Sequence, residues 1–284
     1  VLVEWALEES GALAVTFEDA EDDPVLEPGP GTTPLWPLGE VRVLFEADVA
    51  RERILAALGA VPGARRPERI RWRMVSDRDW ERAWRDRFEP MRFGRRLWIV
   101  PGGRAIPPHP DNIEIHLDPG LAFGTGTHPT TALGLEWLDG RDLAGKTVVD
   151  YGCGSGVLGV AAARLGAARV ICVDHDPQAL RATGDNAARN HVVERISCHQ
   201  PVAFGTVTAQ VVLANILAEP LITLAPVLLG CLAPGGSLVL SGLLAEQAES
   251  VAAAYRPELT GIETQSSGGW ARLHGSKAHI GEAA

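Results

Sequence analysis

The chain has 284 residues, 46% of them hydrophobic, and a formal net charge of −10, which is enough apolar content for one large core or two unequal ones. No run of about 18 apolar residues is free of polar interruption, so no membrane span is expected. The acidic balance argues against direct nucleic-acid binding, which needs clustered Lys and Arg.

The chain opens without an initiator methionine, inside what reads as an amphipathic helix (Val1–Ser10), so further residues are expected upstream. No basic segment followed by an apolar stretch marks a secretory signal. Ala12–Phe17 and Val41–Phe45 alternate like strands, with a Pro/Gly-rich stretch from Glu21 to Pro37 between them. Ala50–Leu58 reads as a helix, and Ile70–Val75 alternates again. Alternation implies an antiparallel sheet with one wet face, so residues 1–75 are expected to form a small α+β domain.

Residues 76–110 read as a linker. Trp80, Trp84 and Phe88 recur every four residues and share one helical face, a pattern that packing explains more often than ligand contact. Leu97–Val100 follows as a short strand. From Asp111 to Lys277, short apolar strands (Thr147–Asp150, Arg169–Asp174, Val211–Ala214 and Ser237–Leu240) alternate with helical segments (Val157–Leu165, Pro177–Arg189, Pro220–Leu232 and Ala245–Tyr255). That order predicts a doubly wound, mostly parallel α/β sheet, with its ligand crevice beyond the carboxyl ends of the strands. Residues 278–284 read as a polar tail.

The four cysteines, Cys153, Cys172, Cys198 and Cys231, form no Cys-x-x-Cys pair. Free thiols, no metal site and a reducing cytoplasmic compartment are expected.

The sharpest motif is Val148-Val-Asp-Tyr-Gly-Cys-Gly-Ser-Gly156, which leaves a strand, turns on Gly152, Gly154 and Gly156, and enters a helix. Asp174, at the end of the next strand, can accept hydrogen bonds from ribose hydroxyls. Gly154, Gly156 and Gly159 also satisfy the dinucleotide fingerprint, so a nicotinamide cofactor is a rival. Charge separates the two. Asp150 ends the strand directly before the loop, where an anionic pyrophosphate would meet like charge in low dielectric. S-adenosyl-L-methionine instead carries a sulfonium and an ammonium, and suits an acidic strand end directly or through the loop amides.

Upstream, Phe123-Gly-Thr-Gly-Thr-His-Pro-Thr-Thr131 reads as a loop folded over a ligand, with Phe123, Gly124 and Thr125 as candidate contacts. Thr130 or Thr131 falls near a helix start, where free N–H groups and a hydroxyl can meet a carboxylate. His128 is either a base, a hydrogen-bond orienter or simply structural. Asn215 closes the strand Val211–Ala214 and offers both an acceptor and donors to a reacting amine. It could equally cap the helix near Glu219.

Four segments in this order, Phe123–Thr131, Asp150–Gly156, Val173–Pro177 and Asn215–Ala218, together resemble the bacterial ribosomal protein L-eleven methyltransferase family. Asp79–Trp84 and Leu97–Val100 are similar to that family's linker, so the likeness spans nearly the whole chain. The resemblance implies a class I, Rossmann-like catalytic domain with a seven-stranded sheet, behind a smaller ferredoxin-like domain that recognises the ribosomal protein. It implies S-adenosyl-L-methionine as cofactor, contacted by Thr131, Gly152, Asp174 and Asn215. It further implies methylation of lysine ε-amines and of the N-terminal α-amine of ribosomal protein L-eleven by a monomer. In that family a strand precedes the first helix, whereas this chain begins within the helix. The alternative is a class I enzyme acting on another protein or on a small molecule.

Overall fold

The computed structural model describes residues 2–19, 39–61, 70–74, 89–102, 104–117, 128–205 and 207–278. The chain divides into two compact units, residues 1–78 and 79–284. No helix among the described residues is long and apolar enough to cross a membrane.

The first unit contains α1 (Leu2–Glu9), β1 (Ala12–Asp19), β2 (Gly39–Phe45) and α2 (Arg51–Gly59). β1 and β2 pair antiparallel, with Phe17 opposite Val41 and Ala12 opposite Phe45. Ala6 and Leu7 of α1 and Ile54 of α2 are buried. Residues 70–74, which alternate like a strand, adopt no regular structure and are exposed. Alternation alone does not make a strand, which needs a ladder partner for its N–H and C=O groups. Here Trp72 instead lies beneath the Arg51 guanidinium, 5.0 Å from the ring centroid.

The second unit begins with a three-stranded sheet of β3 (Met91–Phe93), β4 (Leu97–Val100) and β5 (Ile113–His116), ordered β3-β4-β5. Helix α3 (Pro129–Asp139) leads into the main sheet. Its order is β6 (Thr147–Tyr151), α4 (Val157–Arg164), β7 (Arg169–Val173), α5 (Pro177–Arg189), β8 (Ile196–His199), β9 (Ala209–Asn215), α6 (Ala218–Thr223), α7 (Ala225–Cys231), β10 (Leu232–Leu244), α8 (Ala248–Tyr255), β11 (Leu259–Ser267) and β12 (Trp270–Lys277). The seven strands lie as β11-β12-β10-β9-β6-β7-β8. All neighbours are parallel except β12, which runs antiparallel to β10 and β11.

Two apolar layers sandwich this sheet. Val148, Val170, Val211, Leu213 and Val239 face one layer with Leu135, Leu138, Val160 and Ala161. Val149, Ile171, Val212, Leu238 and Leu240 face the other with Leu221, Leu228, Val251 and Tyr255. Strand side chains alternate faces, so near-continuous apolar runs are what a sheet covered on both sides requires. The segment expected as one helix from Pro220 to Leu232 is two helices, because Pro226 has no N–H to offer the carbonyl of Ile222. The chain winds outward from β6 through β7 to β8, then returns to the other side of β6 at β9. Ligand crevices form at such a reversal, beyond the strand carboxyl ends.

Asp139 joins the small sheet to α3. Its buried carboxylate accepts from the backbone N–H groups of Arg95 at 2.7 Å and Arg96 at 3.2 Å, and the Arg96 side chain donates to the Asp139 carbonyl at 2.9 Å. Asp139→Ala leaves two turn amides without their acceptor. It should lower unfolding free energy by about 2–3 kcal/mol, read as a reduced urea midpoint at unchanged slope.

Candidate active site

The loop between β6 and α4 is held by backbone bonds before any side chain acts. The N–H groups of Gly152 and Cys153 both donate to the Val173 carbonyl, at 2.7 and 3.1 Å, and Gly156 N–H donates to the Cys153 carbonyl at 2.8 Å. This path requires left-handed backbone at Gly152 and Gly156, both at φ +75°, a conformation costly for any residue with a Cβ. Space excludes a side chain as well. A Cβ on Gly152 would collide with Cγ2 of Ile216, and one on Gly156 would lie 2.6 Å from Cγ2 of Thr183.

Asp174, at the end of β7, is the loop's electrostatic partner. Its Oδ2 accepts from Gly154 N–H at 2.9 Å and its Oδ1 from Asp176 N–H at 3.0 Å. Each carboxylate oxygen has two acceptor sites, so this geometry keeps capacity for the two hydroxyls of a ribose. From α5, Thr183 Oγ1 donates to the Gly154 carbonyl at 3.1 Å, and Asn186 Nδ2 to the Ser155 carbonyl at 2.8 Å. Sequence reasoning did not single out Thr183 or Asn186. The available signal was two polar residues three apart on the inner face of an amphipathic helix.

Asp150 lies beneath the loop. It is fully buried, and its Oδ2 accepts from Gly159 N–H in the first turn of α4 at 2.8 Å. Its carboxylate thus faces the helix.

On the other side of the crevice, Asn215 ends β9 and Nδ2 donates to Thr131 Oγ1 at 3.2 Å. Thr131 is fully buried in the first turn of α3. The Oδ1 of Asn215 is buried and has no hydrogen-bond partner among the described residues. Asn215 does not cap the following helix, whose N-cap is Leu217 with no side-chain bond. Such orphaned acceptors are rare in folded proteins and mark a place where a donor belongs. Ser241 Oγ secures this corner by donating to the Thr130 carbonyl at 3.0 Å.

His128 is the N-cap of α3. Its Nδ1 lies 2.7 Å from Thr130 Oγ1 and accepts from Thr130 N–H at 3.4 Å, and its ring meets Trp270 edge-on at 4.6 Å between centroids. Burial lowers its pKa, which suits a neutral, accepting imidazole. Asp174, Gly152, Gly154, Gly156, Asn215, Thr131 and His128 all gather at the carboxyl ends of β6, β7 and β9 or at the start of α3. Phe123, Gly124 and Thr125, like Trp80, Trp84 and Phe88, lie outside the described residues. No cluster of metal-ligating side chains occurs among the described residues.

Burial pushes the Asp150 carboxyl up to about 7, the Gly159 N–H pulls it down less, and the Asp174 charge adds to the rise. An unfolded aspartate titrates near about 3.9. Between those values the folded chain holds a proton that the unfolded chain has released, so this group's stabilisation fades as pH rises through about 7. Asp150→Asn keeps an acceptor for Gly159 but cannot ionise. Urea unfolding of the ligand-free proteins should therefore show the variant gaining on the parent chain from pH 5 to pH 8. A stability difference that does not move with pH would refute the buried charge.

Comparison with known proteins bears on this site. The family model described as "Ribosomal protein L11 methyltransferase" matches residues 2–278. The ribosomal protein L11 methyltransferase of Pseudomonas aeruginosa (strain LESB58) is 54% identical over 275 residues, covering 96% of this chain and 93% of that protein. The protein of the same name from Vibrio cholerae is 52% identical over 272 residues, covering 95% and 92%. A crystal structure titled ribosomal protein L11 methylase, from Lactobacillus delbrueckii subsp. bulgaricus, is similar at TM-score 0.60 and 31% identity. It covers 68% of this chain and 99% of that one. Each match is with a methyltransferase, which decides between the two readings of the glycine loop. The chain belongs to the ribosomal protein L11 methyltransferase family.

Proposed function

We propose that this chain transfers methyl groups from S-adenosyl-L-methionine to amines of ribosomal protein L11, lysine ε-amines and the N-terminal α-amine among them. The observation that carries the reading is the buried Oδ1 of Asn215, unpartnered among the described residues, across the crevice from the glycine loop and Asp174.

The residues fit the cofactor. Asp174 would take the ribose hydroxyls, and the backbone of Gly152 and Gly154 would lie against the ligand where no Cβ intervenes. The first turn of α3, with Thr131, would meet its carboxylate. When bound, the cofactor supplies an electrophilic methyl on sulfur, so the protein's task is positioning. A lysine amine has a pKa of about 10.4, and only roughly one in a few thousand is neutral at pH 7. Taking the amine into the crevice disfavours the ammonium. Oδ1 of Asn215 then accepts one N–H of the neutral amine and turns its lone pair toward the methyl. Thr131 fixes the amide by occupying Nδ2. Water can carry the released proton, since Nδ1 of His128 is committed to Thr130.

The first unit, within residues 1–75, is read as the part that recognises the ribosomal protein. Residues 76–110 are read as a linker, 111–277 as the catalytic domain and 278–284 as a tail. A cytoplasmic monomer without direct nucleic-acid contact is consistent with the net charge of −10 and the four free cysteines.

Asn215→Ala should reduce methyl incorporation into purified L11 at least a hundredfold, about 2.7 kcal/mol of transition-state stabilisation, with the fold intact by circular dichroism. Near-normal incorporation by mass spectrometry would reject the role. Asp174→Ala should weaken S-adenosyl-L-methionine binding by tenfold or more in calorimetry, and unchanged affinity would exclude the ribose contact.

A further inference from the structure

Helix α5 docks on the glycine loop with little apolar surface. Its buried residues are Ala179, Thr183, Asn186 and Ala187, and Leu180 is only partly covered. Polar bonds therefore weigh heavily in deciding where this helix sits. Two of them grip the loop, from Thr183 Oγ1 to the Gly154 carbonyl at 3.1 Å and from Asn186 Nδ2 to the Ser155 carbonyl at 2.8 Å. Asn190, the C-cap of α5, continues that face one turn on, because residues four apart stack along a helix. It is buried, at 2% exposure.

The amide of Asn190 is spent on a strand as well as on its own helix. Its Oδ1 accepts from His116 N–H at 2.8 Å, and its Nδ2 donates to the His116 carbonyl and to the Asn186 carbonyl, each at 2.8 Å. His116 ends β5, which lies at the edge of its small sheet. Leu117 N–H turns to the Val100 carbonyl of β4, so the N–H and C=O of His116 turn the other way. A further strand would have paired with them there, and the side chain of Asn190 takes its place. Asn186 is held as well, by Arg189 Nη1 donating to its Oδ1 at 2.9 Å. A path of hydrogen bonds thus runs from β5 through Asn190 and Asn186 to Ser155 in the glycine loop.

We propose that Asn190 is a positioning residue for the cofactor site: by anchoring the end of α5 on β5, it fixes the helix face that holds the glycine loop in its binding shape. The helix itself does not need the side chain, since Asn190 N–H also donates to the Asn186 carbonyl at 3.1 Å. Loss of the amide therefore leaves α5 helical but frees it from β5. Asn186 moves with the helix, and the loop loses the fixed donor on Ser155 next to Gly154, whose own N–H is bonded to Asp174. A loop that is no longer ordered in advance must be ordered by the ligand, which lowers affinity. The effect on loop order is independent of the cofactor reading. The effect on affinity rests on that reading.

The full chain carrying Asn190→Ala, Asn186→Ala or both is compared with the parent by calorimetry with S-adenosyl-L-methionine and by amide hydrogen exchange of the ligand-free proteins. Each single variant should bind about fivefold more weakly or worse. The double variant should fall within about twofold of the weaker single, because both substitutions cut one path. Exchange in Asn190→Ala should quicken across residues 152–156 and stay unchanged in β9, a contrast that a loss of overall stability does not produce. Affinity of Asn190→Ala within about twofold of the parent, or losses that simply add, overturns the role. Exchange that quickens equally in β9 overturns it too. If Asn190→Ala does not fold, Asn190→Ser is read the same way, and failure of both to fold makes Asn190 a residue of the fold and overturns the positioning role. If the parent itself fails to bind S-adenosyl-L-methionine, the cofactor reading fails instead, and the exchange contrast still decides the link from β5 to the loop.

Discussion

Everything at this site depends on a backbone that passes where no side chain can. Between β6 and α4 the chain turns in left-handed conformation, with Ile216 pressed against Gly152 and Thr183 against Gly156. The turn holds its shape because its amides are spent on fixed acceptors: the Val173 carbonyl and the Asp174 carboxylate. Binding to a surface already ordered in this way avoids the entropic cost of ordering it on contact. The sheet supplies the rigidity, since β6 and β7 are buried on both faces and joined in register from Thr147–Arg169 to Tyr151–Val173.

The opposite wall is organised by polar groups inside the fold. Asn215, Thr131, Thr130, His128 and Ser241 connect the ends of β9 and β10 to the first turn of α3 through side chains. Buried polar networks are costly when partly satisfied and rigid when complete. Within this one, Oδ1 of Asn215 is a buried atom with no hydrogen-bond partner among the described residues. The burial of Asp150 is a similar exception. A carboxylate sealed under α4 with one amide partner is a poor way to gain stability, and its position fits a role in shaping the field of the loop.

Much of this was legible in the residues. The glycine run, the acidic residue closing the next strand and the alternation of apolar strands with helices led to a doubly wound sheet and to a crevice with Asp174 and Asn215 on its rim. The rest was hidden for physical reasons. Ile196–His199 has a single strongly apolar residue and lies at the sheet edge, half-buried throughout. Leu259–Ser267 is the other edge and is mostly exposed, so neither shows the run of a buried strand. Residues 70–74 carry the alternation of a strand without a partner in the ladder. Thr183 and Asn186 are ordinary helix residues by type, and only the fold reveals that they grip the loop. The inward aim of Asp150 is also a tertiary fact, because a strand end does not say which neighbour a carboxylate will choose.

The claim that the ordered loop and the orphaned amide form one methyl-transfer crevice is tested most directly by a crystal structure with S-adenosylhomocysteine. The ribose hydroxyls should lie on Asp174 with Gly154 still bonded to it, and the ligand sulfur should point toward Asn215. A ligand seated away from β6 and β7, or a loop rebuilt to admit it, would contradict the account.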